Sequence, residues 1–304
     1  MIRLAALLAL LCTAAQAQPS MEPLGPSILD TGSAEVSVHD FDLPAPAGAA
    51  HRIGVLVPDG PAPEGGFPVV FLLDGGAVLD RLTDARLATL PQDRASVIVT
   101  LGHRTDQRYA TAERARDYTP PGSDGGPVED PRGRPGGGAA EFLALISEAV
   151  LPRVTGIAPI DLSQSTLWGH SYGGLFVLYA ASRPEAPFAH YISASPSLWW
   201  DHGDFLTRIT AQIEAGRWPD RRLDLHHGGR ERERASTPAN PNAQKLVQMR
   251  AALPPDALRG LDAALRAAGI PGALTVFPGL SHGESFGASV DATLNAVFAT
   301  TEER

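Results

Sequence analysis

The sequence holds one cysteine in 304 residues, Cys12. A lone thiol closes no disulfide within the chain, and this one lies in a segment expected to be removed. What remains has no disulfide, no thiolate metal site and no cysteine nucleophile. A basic surplus is also missing. Twenty-five Lys and Arg stand against 34 Asp and Glu, a formal net charge of −9, which argues against a nucleic-acid partner. Long apolar runs are absent too. The stretch from Leu4 to Leu11 is too short for a bilayer span, so no membrane anchor is expected. No internal repeat and no second-domain linker divides the chain.

What is present at the start is Met1-Ile2-Arg3, the apolar stretch, and then Ala15-Gln16-Ala17. A basic start, a short apolar core and an A-x-A site predict a secretory signal peptide over 1–17. Leu11 before Cys12 is not the small residue a lipoprotein signal carries there. The expected location is periplasmic or secreted, where a chain without cysteine is at home. Residues 18–33, polar and proline-containing, read as a flexible leader, and 34–304 as one α/β domain.

Within that domain strands and helices alternate. Residues 34–41 and 51–57 read as antiparallel edge strands. The continuous apolar runs 68–73 and 96–101 suit buried parallel strands, and further strands are expected at 165–168, 191–195, 223–227 and 273–277. Helical stripes occur at Phe142, Leu145, Ile146, Ala149 and Val150, and again at Val290, Leu294, Val297 and Phe298. Residues 103–138 differ, being rich in Arg, Asp, Pro and Gly. A loop of that length is functional or disordered.

The chain is organised around Gly169-His170-Ser171-Tyr172-Gly173-Gly174, set between an apolar strand and an apolar helix. Strand, G-x-S-x-G, helix is the context in which a sharp turn lifts a serine hydroxyl clear of a sheet. The residues two positions away on either side must then be small. The turn also places the Tyr172 N–H at a helix N-terminus, where a developing oxyanion is stabilised. A serine hydroxyl needs a base. His282 is the histidine that follows the last strand, and the order Ser, acid, His suits an eight-stranded, mostly parallel α/β-hydrolase sheet with helices on both faces. The acid belongs after the strand at 223–227, where Glu231 and Glu233 stand; Glu231 is preferred. Asp74-Gly75-Gly76 after the third strand would supply the second oxyanion donor from the Gly76 N–H. Ser171, Gly75–Gly76, Gly228–Glu231 and His282 all fall at the carboxyl edge of the expected sheet. His170 beside the serine is read as lining the pocket. No metal is expected, since His226 and His227 have no further ligand at metal spacing, and no cofactor is expected.

Four stretches sharpen this reading: Phe71-Leu72-Leu73-Asp74-Gly75, Arg116-Asp117-Tyr118-Thr119-Pro120, the serine motif, and Ser195-Pro196-Ser197-Leu198-Trp199-Trp200. In this order, with Phe277-Pro278-Gly279 before His282, the chain resembles the putative-esterase family of α/β-hydrolases. That family includes esterase D, the antigen-85 mycolyltransferases and the trilactone siderophore esterases, and the siderophore branch is the most similar. The resemblance implies a serine esterase with no cofactor, acting on a small-molecule ester such as that of a catecholate siderophore. It implies that Asp74, Gly75, Arg116, Tyr118, His170 and Trp199 border the substrate, with Trp200 beside Trp199 on the pocket wall; for Trp200 core packing is the alternative. Where relatives carry Gly-Glu-x-Glu after the seventh strand, this chain has Gly228-Gly229-Arg230-Glu231. Ferric siderophores are anionic, so Arg104, Arg108, Arg114, Arg116, Arg132 and Arg134 are candidate contacts. Two other readings stay open, acyl transfer to a sugar or lipid acceptor and a binding protein on a hydrolase scaffold. Oligomeric state has no signature in the sequence.

Overall fold

The computed structural model describes residues 23–91, 94–231 and 241–299. Eight strands form its main sheet: β1 (Val36–Leu43), β2 (His51–Pro58), β3 (Phe67–Leu73), β4 (Val97–His103), β5 (Ile160–His170), β6 (His190–Ala194), β7 (Arg222–Gly228) and β8 (Leu274–Phe277). Their order is β1-β2-β4-β3-β5-β6-β7-β8. β2 runs antiparallel to both β1 and β4, and every other pairing is parallel. This is the α/β-hydrolase sheet expected from the alternation of apolar runs.

All seven residues of β3 and of β4 are buried, as the sequence pattern requires of central strands covered on both faces. Alternate side chains then feed two cores. Val69, Phe71 and Leu73 pack with Leu167, Phe142 and Phe176. Val70 and Leu72 pack with Trp168, Phe286, Val290 and Leu294. The helix Tyr172–Ala181 is buried along its whole length, so it belongs inside one core layer. The helix His282–Phe298 covers the opposite face through the apolar stripe read from its sequence.

Two segments depart from expectation. Part of the segment read as a flexible leader is packed: Ile28–Thr31 form a helical turn, Ile28 is buried, and the Leu24 N–H donates to the Asp106 carbonyl at 2.6 Å. Residues 103–138 are not a structureless loop. They contain the helix Thr111–Asp117 and a short hairpin pairing Val128–Glu129 with Pro135–Gly136. Ion pairs take the place of apolar packing here, with Arg104 on Asp42, Arg108 on Asp80 and Arg134 on Asp130. The expected signal peptide lies outside the described residues. No helix among the described residues is long and apolar enough to cross a membrane.

Candidate active site

Ser171 follows β5 and caps the next helix with φ 60° and ψ −113°, a conformation that non-glycine residues rarely adopt. Its N–H donates to the Ala194 carbonyl at 2.9 Å, and its carbonyl accepts from the N–H groups of Leu175 and Ser197 at 3.0 and 3.1 Å. The turn is therefore fixed from the helix it starts and from the end of β6. A Cβ on Gly169 would lie 2.5 Å from the Gly173 carbonyl oxygen, and one on Gly174 would lie 2.5 Å from the Ala194 carbonyl oxygen. Gly173 itself would meet nothing closer than 3.5 Å. The steric demand thus falls on Gly169 and Gly174 rather than equally on both glycines of G-x-S-x-G.

The Ser171 Oγ lies 3.1 Å from His282 Nε2, and His282 Nδ1 lies 2.9 Å from Glu231 Oε2. His282 is the first residue of the final helix rather than a mid-loop residue. The Glu284 carboxylate accepts from the Ser281 N–H and hydroxyl at 2.8 and 2.6 Å, which holds that first turn. Glu231 Oε1 accepts from the Gly228 N–H at 2.8 Å, from the Ser285 hydroxyl at 3.3 Å and from the Ser195 hydroxyl. His227 Nδ1 stands 3.3 Å from the same oxygen, though it is not aligned for a hydrogen bond. Burial acts to raise the Glu231 carboxyl, but the imidazoles of His227 and His282 outweigh it and hold the group far below the usual carboxylate range. Burial pushes His282 below its ordinary value against the opposing pull of Glu231. Glu233, the other candidate acid, lies outside the described residues.

The structure sorts the remaining candidates. Tyr172 opens its helix, so its N–H has no intrahelical acceptor, and Gly76 is the second residue of the short helix Gly75–Leu79. His170 is buried with its ring 4.7 Å from that of His282 and its Nε2 3.3 Å from the Ser285 Oγ. Burial, then the neighbouring His282, drives its pKa well down and keeps it neutral. Trp199 is buried against the Tyr172 ring, with the Arg250 guanidinium 5.6 Å from its centre. Trp200 is core, its Nε1 donating to the Pro120 carbonyl at 3.1 Å.

Four expected substrate contacts are corrected. Tyr118 is fully buried and its hydroxyl accepts from the Asp74 N–H at 3.2 Å, so it offers a ligand no surface. The Asp74 carboxylate is occupied by Arg114, which reaches both oxygens at 2.8 Å. Arg116 turns to Asp117 at 2.6 Å and to the Ala47 carbonyl. Gly75 is buried and serves close packing, since a Cβ there would lie 2.9 Å from the Gly102 nitrogen.

Three polar residues went unassigned in the sequence. Ser197 Oγ lies 3.2 Å from Ser171 Oγ. Ser195, at φ 45°, and Ser285 both reach Glu231. Ser285 had a readable signal, because it lies one helical turn after His282 on the same face.

One group among the described residues has metal-ligand chemistry: His51, His103 and Asp117, all buried, with ligating atoms within 4.8 Å of one another. Both Nε2 atoms contact Asp117 Oδ2, at 2.9 and 2.8 Å, and Arg116 Nη2 lies 3.1 Å from that oxygen. A cation here would face a guanidinium. It would also leave the buried His51 Nδ1, which has no partner, as an orphan N–H where metal-bound histidine normally finds an acceptor. The donors fit a hydrogen-bonded strut joining β2, β4 and the helix Thr111–Asp117.

The family model described as "Putative esterase" matches residues 47–295. The chain belongs to the putative esterase family. It is 38% identical over 209 residues to the apo-salmochelin esterase of Escherichia coli, covering 67% of this chain and 65% of that protein. It is 32% identical over 232 residues to the ferri-bacillibactin esterase BesA of Bacillus subtilis, covering 69% and 75%. The solved enterobactin and salmochelin hydrolase IroE superposes with a TM-score of 0.72 at 29% identity, over 90% of this chain and all of that one. The siderophore hydrolase EstA of Aspergillus nidulans gives 0.70 at 25% identity, over 86% and 94%.

Proposed function

We propose that this member of the family is a serine carboxylic ester hydrolase whose substrates are siderophore esters. The observation that carries the reading is the hydrogen-bonded chain from Glu231 through His282 to Ser171, at 2.9 and 3.1 Å. Ser171 Oγ attacks the ester carbonyl while His282 Nε2 takes its proton. The Tyr172 and Gly76 N–H groups receive the oxyanion of the tetrahedral intermediate. His282 then protonates the leaving alcohol and activates the water that releases the acyl group. Glu231 stays ionised, holds the Nδ1–H tautomer and stabilises the imidazolium as it forms.

For the substrate, the arginines of 103–138 favour an iron-free ester over an anionic ferric complex. Five of the six are engaged by this chain's own carboxylates: Arg104 by Asp42, Arg108 by Asp80, Arg114 by Asp74, Arg116 by Asp117 and Arg134 by Asp130. An anionic ligand would have to displace those partners. Of the two relatives above, one is named for an iron-free siderophore and the other for a ferric one, so this preference rests on the arginine pairing alone. The protein is further proposed to be exported, with residues 1–17 as its cleaved signal; the N-terminal sequence of the purified protein tests that.

Hydrolysis of p-nitrophenyl acetate, p-nitrophenyl butyrate, and ferric and iron-free enterobactin, with Ser171→Ala as blank, tests the proposal. Cleavage of the iron-free trilactone with higher kcat/KM than either simple ester supports it. Activity confined to the simple esters removes the siderophore from the reading. A panel without any turnover returns acyl transfer and ligand binding to the front.

A further inference from the structure

The loops that present Tyr172 and Gly76 leave neighbouring strands. β3 and β5 are paired in register as far as Leu72 opposite Trp168. Beyond that pair, no sheet bond between the two strands fixes the segment Leu73–Gly76 against the segment Gly169–Tyr172. Two backbone donors that are to share one oxyanion must nevertheless keep their separation to a fraction of an ångström.

One half-buried guanidinium reaches both segments. Arg114, on the helix Thr111–Asp117, places Nε and Nη2 each 2.8 Å from an oxygen of Asp74. The same Nη2 lies 3.5 Å from the carbonyl of His170, the residue before Ser171. Its Cζ sits 5.4 Å from the centre of the Tyr172 ring, the residue after. Asp74 needs such a partner, because it is held at φ 56° and ψ 50° immediately before Gly75 and Gly76, a conformation that persists in a non-glycine residue only when its surroundings over-determine it. The hydroxyl of Tyr118 accepts the Asp74 N–H from the other side. The supporting helix is itself pinned, since Asp117 is bound by His51 of β2 and His103 of β4.

We propose that Arg114 is a positioning residue for ester hydrolysis: through Asp74 on one side and the His170–Tyr172 backbone on the other, it sets the spacing of the two oxyanion donors. The proposal rests on the serine-hydrolase reading above. The contacts of Arg114 run to Asp74 and to the His170 carbonyl, so its loss should act on the transition state more than on ground-state binding. Lysine keeps the charge but presents a compact ammonium in place of a planar fork. It cannot span both Asp74 oxygens and the His170 carbonyl.

The test compares Arg114→Lys, Asp74→Asn and the double variant with wild type and Ser171→Ala on p-nitrophenyl acetate, with melting temperatures recorded alongside. The expected result is a fall in kcat of about 10- to 100-fold for either single variant, with KM changed by less than about three-fold. The double variant should be no worse than the poorer single, because both substitutions break one connection. Should Arg114→Lys fail to fold, the near-isosteric Asp74→Asn carries the same expectation. A single variant with kcat within about two-fold of wild type, or one in which KM rises while kcat holds, overturns the proposal. If Ser171→Ala is inactive in that same experiment, the serine-hydrolase reading survives the failure. If Ser171→Ala is active, that reading itself is wrong.

Discussion

The imidazole rings of His170 and His282 lie 4.7 Å apart, tilted by 47°. One histidine is buried and stays neutral, while the other reaches Ser171 and Glu231. The setting of His282 has a kinetic consequence. The proposed base works only when neutral, and burial lowers the His282 pKa below its ordinary value of 6.5. A group with a lowered pKa keeps its neutral form to lower pH, so the acid limb of kcat/KM should have its midpoint below 6.5. A limb centred above 6.5 in a kcat/KM profile from pH 4 to 9 would contradict the assignment.

Glu231 sharpens that profile. Its carboxylate raises the His282 pKa against burial, so removing the charge lets the imidazole fall further. Glu231→Gln should move the acid limb to lower pH and reduce kcat by about 10²- to 10⁴-fold, the range expected when the tautomer-holding acid is lost. Glu233→Gln should leave both quantities at wild-type values. The reverse pattern would transfer the acid role to Glu233.

Gly228 lets this acid reach its histidine by leaving room for a tight turn. A Cβ on Gly228 would lie 2.6 Å from the Leu280 carbonyl and 3.1 Å from the Glu231 Cγ, so its absence lets the 228–231 turn close on the loop before His282. Much of this site could be read in the sequence because its members terminate strands. Strands buried on both faces, such as β3 and β4, print as unbroken apolar runs. β5 is longer than its apolar run, since Ile160–Gln164 is half-buried or exposed and offers only Ile160 and Leu162 to the core. The partners of Asp74 and Asp80 were not legible at all. Composition shows that arginines are numerous, but Arg114 and Arg108 pair with carboxylates far upstream in the chain, and only the fold decides which. Ile28 was missed for a similar reason, because one buried side chain in a polar stretch has no period.

Gly169 and Gly173 occupy equivalent places in the serine motif, yet they should respond differently to alanine. At Gly169 the added methyl meets the Gly173 carbonyl at 2.5 Å, and backbone cannot give way as a flexible side chain can. At Gly173 the nearest atom is 3.5 Å away, an ordinary contact. Gly169→Ala should cost about 1–3 kcal/mol or more and lose activity with it. Gly173→Ala should melt within a few degrees of wild type. Thermal unfolding of the two purified variants decides the matter, and equal destabilisation would show that the turn does not have the tightness described.

Stability should also fall in mild acid, before the carboxylates titrate. His226 is buried beneath the final helix, with Nδ1 2.7 Å from the Ser289 hydroxyl, and burial lowers its pKa to about 4. Between pH 6.5 and 4 the unfolded chain therefore binds a proton at this site that the folded chain refuses, so stability rises with pH across that window. The shift corresponds to about 3 kcal/mol, fully present above 6.5 and lost as pH falls to about 4. His170, whose pKa is also driven down, adds to the slope in the same direction. The strongly lowered carboxyls of Asp117, Asp224 and Glu231 lose their stabilising ionisation at lower pH, which separates the two effects. Urea unfolding of wild type and His226→Gln at pH 7 and pH 5 reads the histidine contribution directly. Wild type should lose more stability than the variant between those two values, and parallel losses would mean that His226 is protonated in the folded protein.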